Sequence, residues 1–310
     1  MASKTGPGKS YRKGLSLIEA FRKFPDDATA EAWLADCRWG DEPACPHCGD
    51  TNVQTGAKHP TMPYRCRGCR KRFSVRIGTA MQDSNIPLQK WAIAIYLMTT
   101  SLKGVSSMKL HRDLGIAQSS AWHMAHRLRE AWARQGGLFA GPVEVDEAFF
   151  GGLEGNKHKS KKLNVGGGTG GKVPVIGAKD RDSNKVAARV IENTDKATVT
   201  EFVEKHADPD AKVYTDGAST YKGRKQEKVK HSVGEFVRGQ AHINGMESFW
   251  AMLKRGYTGV YHRMSEKHLQ RYVNEFAGRH NIRPLDTLAQ MRAIVRGLEG
   301  RRLRKADLVA

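Results

Sequence analysis

The chain has 310 residues, and its 52 Lys and Arg residues against 32 Asp and Glu residues give a formal net charge of +20. Its hydrophobic content of 39% excludes a globally disordered chain, and no apolar run approaches the ~20 residues of a membrane helix. The first residues lack the apolar segment of a secretory signal. We therefore expect a cytoplasmic protein of two or three domains, without a membrane partner, whose charge serves a polyanion such as nucleic acid. The alternative is a ribosome-associated or merely basic protein.

Residues 1–40 predict a helical lead-in. Apolar side chains have helical spacing over 15–24 and over 28–37, and a turn is indicated between them at 26–27. Cys37 lies close to two tryptophans, and we expect it to be a small, buried hydrophobic side chain.

Residues 41–80 predict a zinc ribbon. The remaining cysteines form the pattern C-x2-C-x17-C-x2-C, which is typical of a site where two pairs of thiolates surround one zinc ion as a tetrahedron. Disulfides are not expected without secretion, and His47 is interpreted as a turn residue. The predicted ligands of one structural Zn²⁺ are Cys45, Cys48, Cys66 and Cys69.

The second cysteine pair is surrounded by cationic and aromatic side chains. Arginine binds phosphate well because its planar guanidinium group donates two parallel hydrogen bonds. The sequence therefore predicts that this face of the ribbon contacts DNA, and the alternative is a charged hairpin that faces solvent. The predicted contacts are Arg67, Arg70, Lys71 and Arg72.

Residues 81–135 predict a helical DNA-binding region. A short helix over 105–114, a turn with Gly115 and a second helix over 117–129 have the order of a helix-turn-helix motif. Ser119 or Ser120 is predicted to cap the second helix. An ordinary helical hairpin is the alternative. The side chains expected to face the DNA groove are Gln118, Ser119, Ser120 and His123.

Residues 136–285 predict a mixed α/β domain. Residues 141–150 alternate as a strand, with Val143 and Val145 on one face and Glu144 and Asp146 on the other. Residues 154–172 are rich in Lys and Gly and predict a flexible loop. Further strands are expected at 173–179, 186–191 and 212–216, with a helix at 198–206.

Three acidic residues in this domain predict a site for two divalent cations. Asp146 and Asp216 lie on or at the end of strands, and Glu247 lies on a helix that also carries Asn244 and Lys254. Carboxylate oxygens are the ligands that Mg²⁺ and Mn²⁺ prefer, and a pair of such ions assists phosphodiester cleavage. Ordinary surface acids are the alternative. Glu144 and Glu147 are rivals of Asp146 for the first position.

Several segments together resemble the zinc-ribbon-bearing DDE transposases of bacterial insertion sequences. The segments are Cys-Pro-His-Cys-Gly at 45–49, Val-Glu-Val-Asp-Glu at 143–147, Gly-Lys-Val-Pro-Val-Ile-Gly at 171–177, Tyr-Thr-Asp-Gly at 214–217 and the block at 242–257. The resemblance implies an RNase H-like catalytic core within an α+β multidomain chain. It also implies that Asp146, Asp216 and Glu247 are the three catalytic acids and that Lys254 contacts the DNA end. Some relatives carry Asn at the third acidic position, and Asn244 offers that alternative here.

The activity implied by the resemblance is DNA transposition. The protein would bind the terminal inverted repeats of its element, cleave the ends with two Mg²⁺ or Mn²⁺ ions, and join the 3′-hydroxyls to double-stranded target DNA. Arg255 follows Lys254 and is expected along the DNA path, and residues 286–310 form a predicted basic tail. Pairing two ends implies a homo-oligomer on DNA at the bacterial nucleoid. The alternatives are an inactive DNA-binding regulator and a metal-dependent nuclease.

Overall fold

The computed structural model describes two compact units. The first is built from the described residues up to 133 together with 282–310, and the second from those between 137 and 281. No helix in the described part of the chain is both long enough and apolar enough to cross a membrane. The described residues are 13–133, 137–152, 158–162, 169–215, 226–228 and 243–310.

Two helices open the first unit, α1 at Leu17–Lys23 and α2 at Asp27–Trp39. Ser16 and Asp26 cap them, because each side chain accepts a hydrogen bond from the backbone N–H three residues later. Cys37 is buried in the packing that follows, which confirms its predicted place, and burial raises the pKa of its thiol to about 12.

Three further helices follow the ribbon, α3 at Leu88–Thr100, α4 at Ser107–Leu114 and α5 at Gln118–Arg129. The predicted helix-turn-helix order is confirmed, with Gly115 in the left-handed conformation at the end of α4. The predicted cap of α5 is wrong, because the helix already begins at Gln118. Ser119 and Ser120 therefore lie inside its first turn, and no side chain caps it.

The predicted basic tail, 286–310, contains two helices, α9 at Thr287–Gly297 and α10 at Lys305–Val309. We correct the prediction of a separate tail, because α9 packs against α2 and α3 within the first unit. Its arginines lie between apolar residues at helical spacing, and the apolar stripe enters the core. The side chains of this segment that enter that core are Met291, Ile294, Val295 and Leu298.

The zinc-ribbon segment is a three-stranded antiparallel sheet in the order β1-β2-β3. Its strands are β1 at Val53–Gln54, β2 at Tyr64–Cys66 and β3 at Arg72–Phe73. The buried side chains that form its own core are Cys45, Cys66 and Phe73. So small a core contributes little hydrophobic free energy, and two of its three members are predicted zinc ligands.

The second unit contains a five-stranded sheet in the order β6-β5-β4-β7-β8. β6, β5 and β4 are antiparallel, whereas β4, β7 and β8 are parallel. This mixed sheet agrees with the RNase H-like core that the resemblance implies. The strands are β4 at Val143–Phe150, β5 at Val173–Asp180, β6 at Val186–Val190, β7 at Val213–Thr215 and β8 at Gln226–Lys228. Of the predicted loop 154–172, only 158–162 and 169–172 are among the described residues.

Helices cover both faces of this sheet. α6, at Lys196–His206, packs on the face that carries Val143 and Val145. α7, at Asn244–Gly256, and α8, at Glu266–Ile282, pack on the opposite face. Because side chains alternate along a strand, Glu144 and Asp146 lie opposite Val143 and Val145, as the sequence predicts, and therefore on the α7 face. A π-helix at 257–261 lies between α7 and α8.

The close packing of α7 on the sheet depends on Gly177. A Cβ atom at Gly177 would lie 2.4 Å from Cε of Met246 and 2.8 Å from Cζ2 of Trp250. We expect Gly177→Ala to lower the free energy of unfolding by about 1–3 kcal/mol, because overpacking displaces the indole or the helix. Urea unfolding measures this effect. The control is Gly152→Ala, where the added Cβ meets no atom of the described residues within 4 Å, and an equal loss in both variants would contradict the packing argument.

A buried histidine in α6, on the sheet face opposite α7, is expected to make the free energy of unfolding depend on pH. His206 is 8% exposed, beside Phe202 and Phe139. Burial, with smaller contributions from two nearby cations, lowers its pKa from 6.5 to about 4. As the pH falls from 6.5 to 4, the unfolded chain therefore takes up a proton that the folded chain does not, and stability is lost.

We expect this histidine to account for about 2 kcal/mol of unfolding free energy lost between pH 7 and pH 4.5. His206→Gln does not titrate in this range, so it should lose that much less than the wild type. Urea unfolding of both proteins at the two pH values gives the difference. Equal pH dependence in the two proteins would show that His206 is not held neutral.

Candidate active site and metal centre

The four predicted zinc ligands converge in the ribbon. Sγ of Cys45 lies 3.6 Å from Sγ of Cys69, and Sγ of Cys48 lies 3.6 Å from Sγ of Cys66. All four ligand atoms lie within 4.8 Å of one another. Thiolates at ~2.3 Å from a zinc ion at the centre of a tetrahedron would be about 3.8 Å apart. The cluster therefore fits a structural Zn²⁺ ion.

The chemistry of these thiols also fits a metal-dependent fold. Burial is the main reason why the pKa of the Cys45 thiol rises to about 12. Without a cation the buried thiol stays protonated, whereas zinc binds the thiolate and releases the proton. His47 is exposed and lies outside the cluster of four sulfurs, which agrees with its interpretation as a turn residue.

Exposed positive charge surrounds the second cysteine pair of the ribbon. Arg65 and Arg72 are cross-strand partners on β2 and β3, and both are exposed. Like charges in such a pair repel each other, so this face gains from an anionic partner. The exposed cations of the ribbon are Arg65, Arg67, Arg70, Lys71 and Arg72. In the described part of the chain, none of these five side chains forms an ion pair with a carboxylate.

The predicted contacts on α5 have two different environments. Ser119 is exposed. The ring of His123 is partly buried, with Nε2 at 3.0 Å from the carbonyl oxygen of Leu303, to which Arg127 also donates a hydrogen bond. Burial is the largest cause that lowers the pKa of His123. The His123 ring is thus engaged with the C-terminal segment, and this contact between distant residues has no signal in the sequence.

Asp146, the first predicted acid, lies in the middle of β4. Its register partner on β5 is Gly177, over which Met246 and Trp250 of α7 pack. Asp146 is partly exposed, whereas Val145 before it is buried on the other face. The carboxylate therefore lies on the α7 side of the sheet and retains access to solvent.

The predicted two-sided character of α7 is confirmed. Met246, Phe249, Trp250 and Leu253 are all buried on the sheet side. Glu247 lies in the first turn of the helix, where the helix dipole favours an anion. The exposed predicted site residues of this helix are Asn244, Glu247, Lys254 and Arg255.

The second predicted acid, Asp216, lies outside the described residues. The described chain reaches Thr215, the last residue of β7 and the one before Asp216. β7 runs parallel to β4, with Tyr214 paired to Glu144. Thr215 is 1% exposed, and its hydroxyl has no hydrogen-bond partner among the residues that the structure describes.

Glu144 is engaged in protein contacts. One carboxylate oxygen lies 2.8 Å from Nε of Arg181, and the other accepts a hydrogen bond from the backbone N–H of Met246 at 2.9 Å. Arg181 was not singled out by the sequence, because it is separated from Glu144 by 37 positions. In the sequence, the only indication of a role for Glu144 is its position on the same strand face as Asp146.

Comparisons with known proteins found matches for both the second unit and the zinc ribbon. Residues 138–281 match the ISXO2-like transposase domain, and residues 25–72 match a transposase zinc-ribbon domain. The chain is also 25% identical over 276 residues to an uncharacterized protein in transposable element ISH50 of Halobacterium salinarum. That similarity covers 84% of this chain and 93% of the relative.

The two matches, in this order along the chain, confirm the resemblance to zinc-ribbon-bearing transposases of insertion sequences that the sequence shows. The match to the ISXO2-like transposase domain spans almost all of the second unit. The mixed sheet, with α7 across the face of Asp146, lies in this domain.

Proposed function

We propose that this transposase binds the terminal inverted repeats of its element, hydrolyses the phosphodiester at each end and joins the freed 3′-hydroxyls to double-stranded target DNA. One observation carries the proposal. Asp146 lies on the sheet face that α7 covers, and α7 holds Glu247 in its exposed first turn. These elements lie within the ISXO2-like transposase domain.

Asp146, Asp216 and Glu247 are the proposed catalytic acids, with Asn244 one helical turn before Glu247. Their oxygens are the hard donors that suit Mg²⁺ or Mn²⁺. Two such ions, bound there, would supply charge neutralisation at the attacking and leaving oxygens of the phosphodiester. The protein fixes the carboxylates on a strand and a helix, which orients the reaction.

The DNA path is proposed from exposed cations in both units. Lys254 and Arg255 follow Glu247 by two turns on exposed positions of α7. In the first unit, the basic ribbon face of Arg67, Arg70 and its neighbours would neutralise backbone phosphates, while Ser119 in α5 would reach the groove. Two element ends must be held together for transposition, so we propose a homo-oligomer on the DNA.

The proposal is tested with purified protein and DNA fragments taken from either side of the coding sequence, where the inverted repeats are expected. We expect specific binding and Mg²⁺-dependent nicks that leave 3′-hydroxyls at the element boundary. Specific binding without any metal-dependent nick would instead indicate a DNA-binding regulator. Nicks without preference for the element boundary would indicate a nuclease, and either result would overturn the proposal.

A further inference from the structure

We propose that Glu144 is a positioning residue: paired with Arg181, it holds the start of α7 against β4 and β7 and so sets Glu247 relative to Asp146. This inference rests on the proposed function, because it concerns the geometry of the same active site. It assigns Glu144 a role different from that of a metal ligand.

The first support is the helix-capping contact. Glu144 is 2% exposed, and one of its oxygens accepts the N–H of Met246, the third residue of α7. The first N–H groups of a helix have no partner within the helix. The same N–H also lies 2.9 Å from the carbonyl oxygen of Ile243, the N-cap residue, and no side chain of the helix caps it, so the carboxylate from β4 is a second acceptor that joins this turn to the sheet. A negative charge at this end of a helix is also favourable.

The second support is the ion pair. The other oxygen of Glu144 lies 2.8 Å from Nε of Arg181, whose side chain is 15% exposed. The Arg181 guanidinium carbon in turn lies 4.0 Å from the ring centroid of Tyr214, and Tyr214 is 3% exposed. Arg181 follows directly after β5, and Tyr214 lies in β7. The pair therefore joins α7 to three strands of the sheet.

The third support is the close approach of the α7 backbone. A Cβ atom at Gly245 would lie 2.6 Å from the Met246-bonded oxygen of Glu144 and 2.9 Å from Nζ of Lys179. A side chain at position 245 would therefore displace the carboxylate. The glycine permits the hydrogen bond between Glu144 and Met246 on which the placement of the helix depends.

The consequence for the site follows from the sequence positions. Glu247 is the residue after Met246, and Asp146 is two residues after Glu144 on the same strand face. Displacement of the α7 start would move Glu247 while Asp146 stays fixed in the sheet. Both oxygens of Glu144 accept hydrogen bonds from the protein, so the geometry favours positioning by Glu144 over direct metal binding.

The test compares Glu144→Gln with Asp146→Asn, two isosteric losses of charge two residues apart, in the nicking assay with Mn²⁺. A residue that supports metal ligands contributes typically 10–100-fold to metal affinity or activity. For Glu144→Gln we expect the Mn²⁺ concentration for half-maximal cleavage to rise about 10-fold, with the rate at saturating Mn²⁺ within about threefold of the wild type. Asp146→Asn should stay inactive at every Mn²⁺ concentration. Glu204→Gln, an exposed change on α6, is the control.

A second measurement reports on the contact without using activity. In Glu144→Ala, amide hydrogen exchange in the first turn of α7 should accelerate at least about 10-fold, while exchange in α6 stays unchanged. Unchanged exchange in α7 would overturn the inference, as would a Glu144→Gln variant as inactive as Asp146→Asn. A fall in the maximal rate at an unchanged half-maximal Mn²⁺ concentration would also overturn it. Wild-type protein that does not cut would instead overturn the proposed function.

Discussion

Replacement of Cys66 by Ser is expected to remove the zinc ion and unfold the ribbon. Cys66 is fully buried, and its sulfur lies 3.6 Å from that of Cys48. The rest of the ribbon core is too small to fold alone, since its other buried side chains are Cys45 and Phe73. Structural zinc sites contribute about 10–16 kcal/mol of apparent binding free energy at neutral pH, which is larger than the stability of most domains.

Elemental analysis of the purified protein should give one zinc per chain in the wild type and close to none in Cys66→Ser. Amide exchange across β1–β3 should lose its protection, whereas the sheet of the second unit keeps it. Cys37→Ala is the matched control, because Cys37 is equally buried but lies outside the four-sulfur cluster. A zinc-free wild-type protein with a protected ribbon would contradict the structural role of the metal.

Asp146→Asn is expected to lower the cleavage rate by about 10³-fold or more, which corresponds to about 4 kcal/mol of transition-state stabilisation. The amide keeps the size of the carboxylate but lacks the negative charge that a divalent cation needs. DNA binding should change little, because the proposed phosphate contacts lie on other residues. Single-turnover cleavage and a binding titration at the same salt concentration separate the two quantities.

Glu147→Gln is the matched control for this prediction. Glu147 is the next residue on β4 and is partly exposed like Asp146, but its side chain belongs to the opposite face of the strand. Its cleavage rate should stay within a few-fold of the wild type. If Glu147→Gln were the inactive variant and Asp146→Asn the active one, the assignment of the first acid would have to move to the other face.

The features predicted correctly from the sequence are those that depend on local periodicity. Alternation placed Val143 and Val145 on one face and Asp146 on the other, and the 3.6-residue period identified the buried stripe of α7. Cysteine spacing alone predicted the four sulfurs that converge in the ribbon. These patterns can be recognised in the sequence because they depend only on the spacing of residues along the chain.

The features that were missed depend on contacts between distant segments. The charge of residues 286–310 predicts a basic tail, but it does not show that the apolar stripe of α9 packs against α2 and α3. Glu144 was treated as a rival metal ligand because its partners, Arg181 and the Met246 N–H, come from other elements. Since the sequence shows the charge of Glu144 but not its partners, only the fold separates positioning from metal binding.

Joining of a DNA end is the most direct test of the central claim, that the second unit is the active domain of a transposase. A duplex that carries the terminal repeat and a recessed 3′-hydroxyl is incubated with the protein, Mg²⁺ and a supercoiled plasmid. We predict covalent joining of that 3′-hydroxyl to plasmid DNA by the wild type, and none by Asp146→Asn. A plasmid that is only nicked by the wild type, or one joined equally by both proteins, would contradict the account.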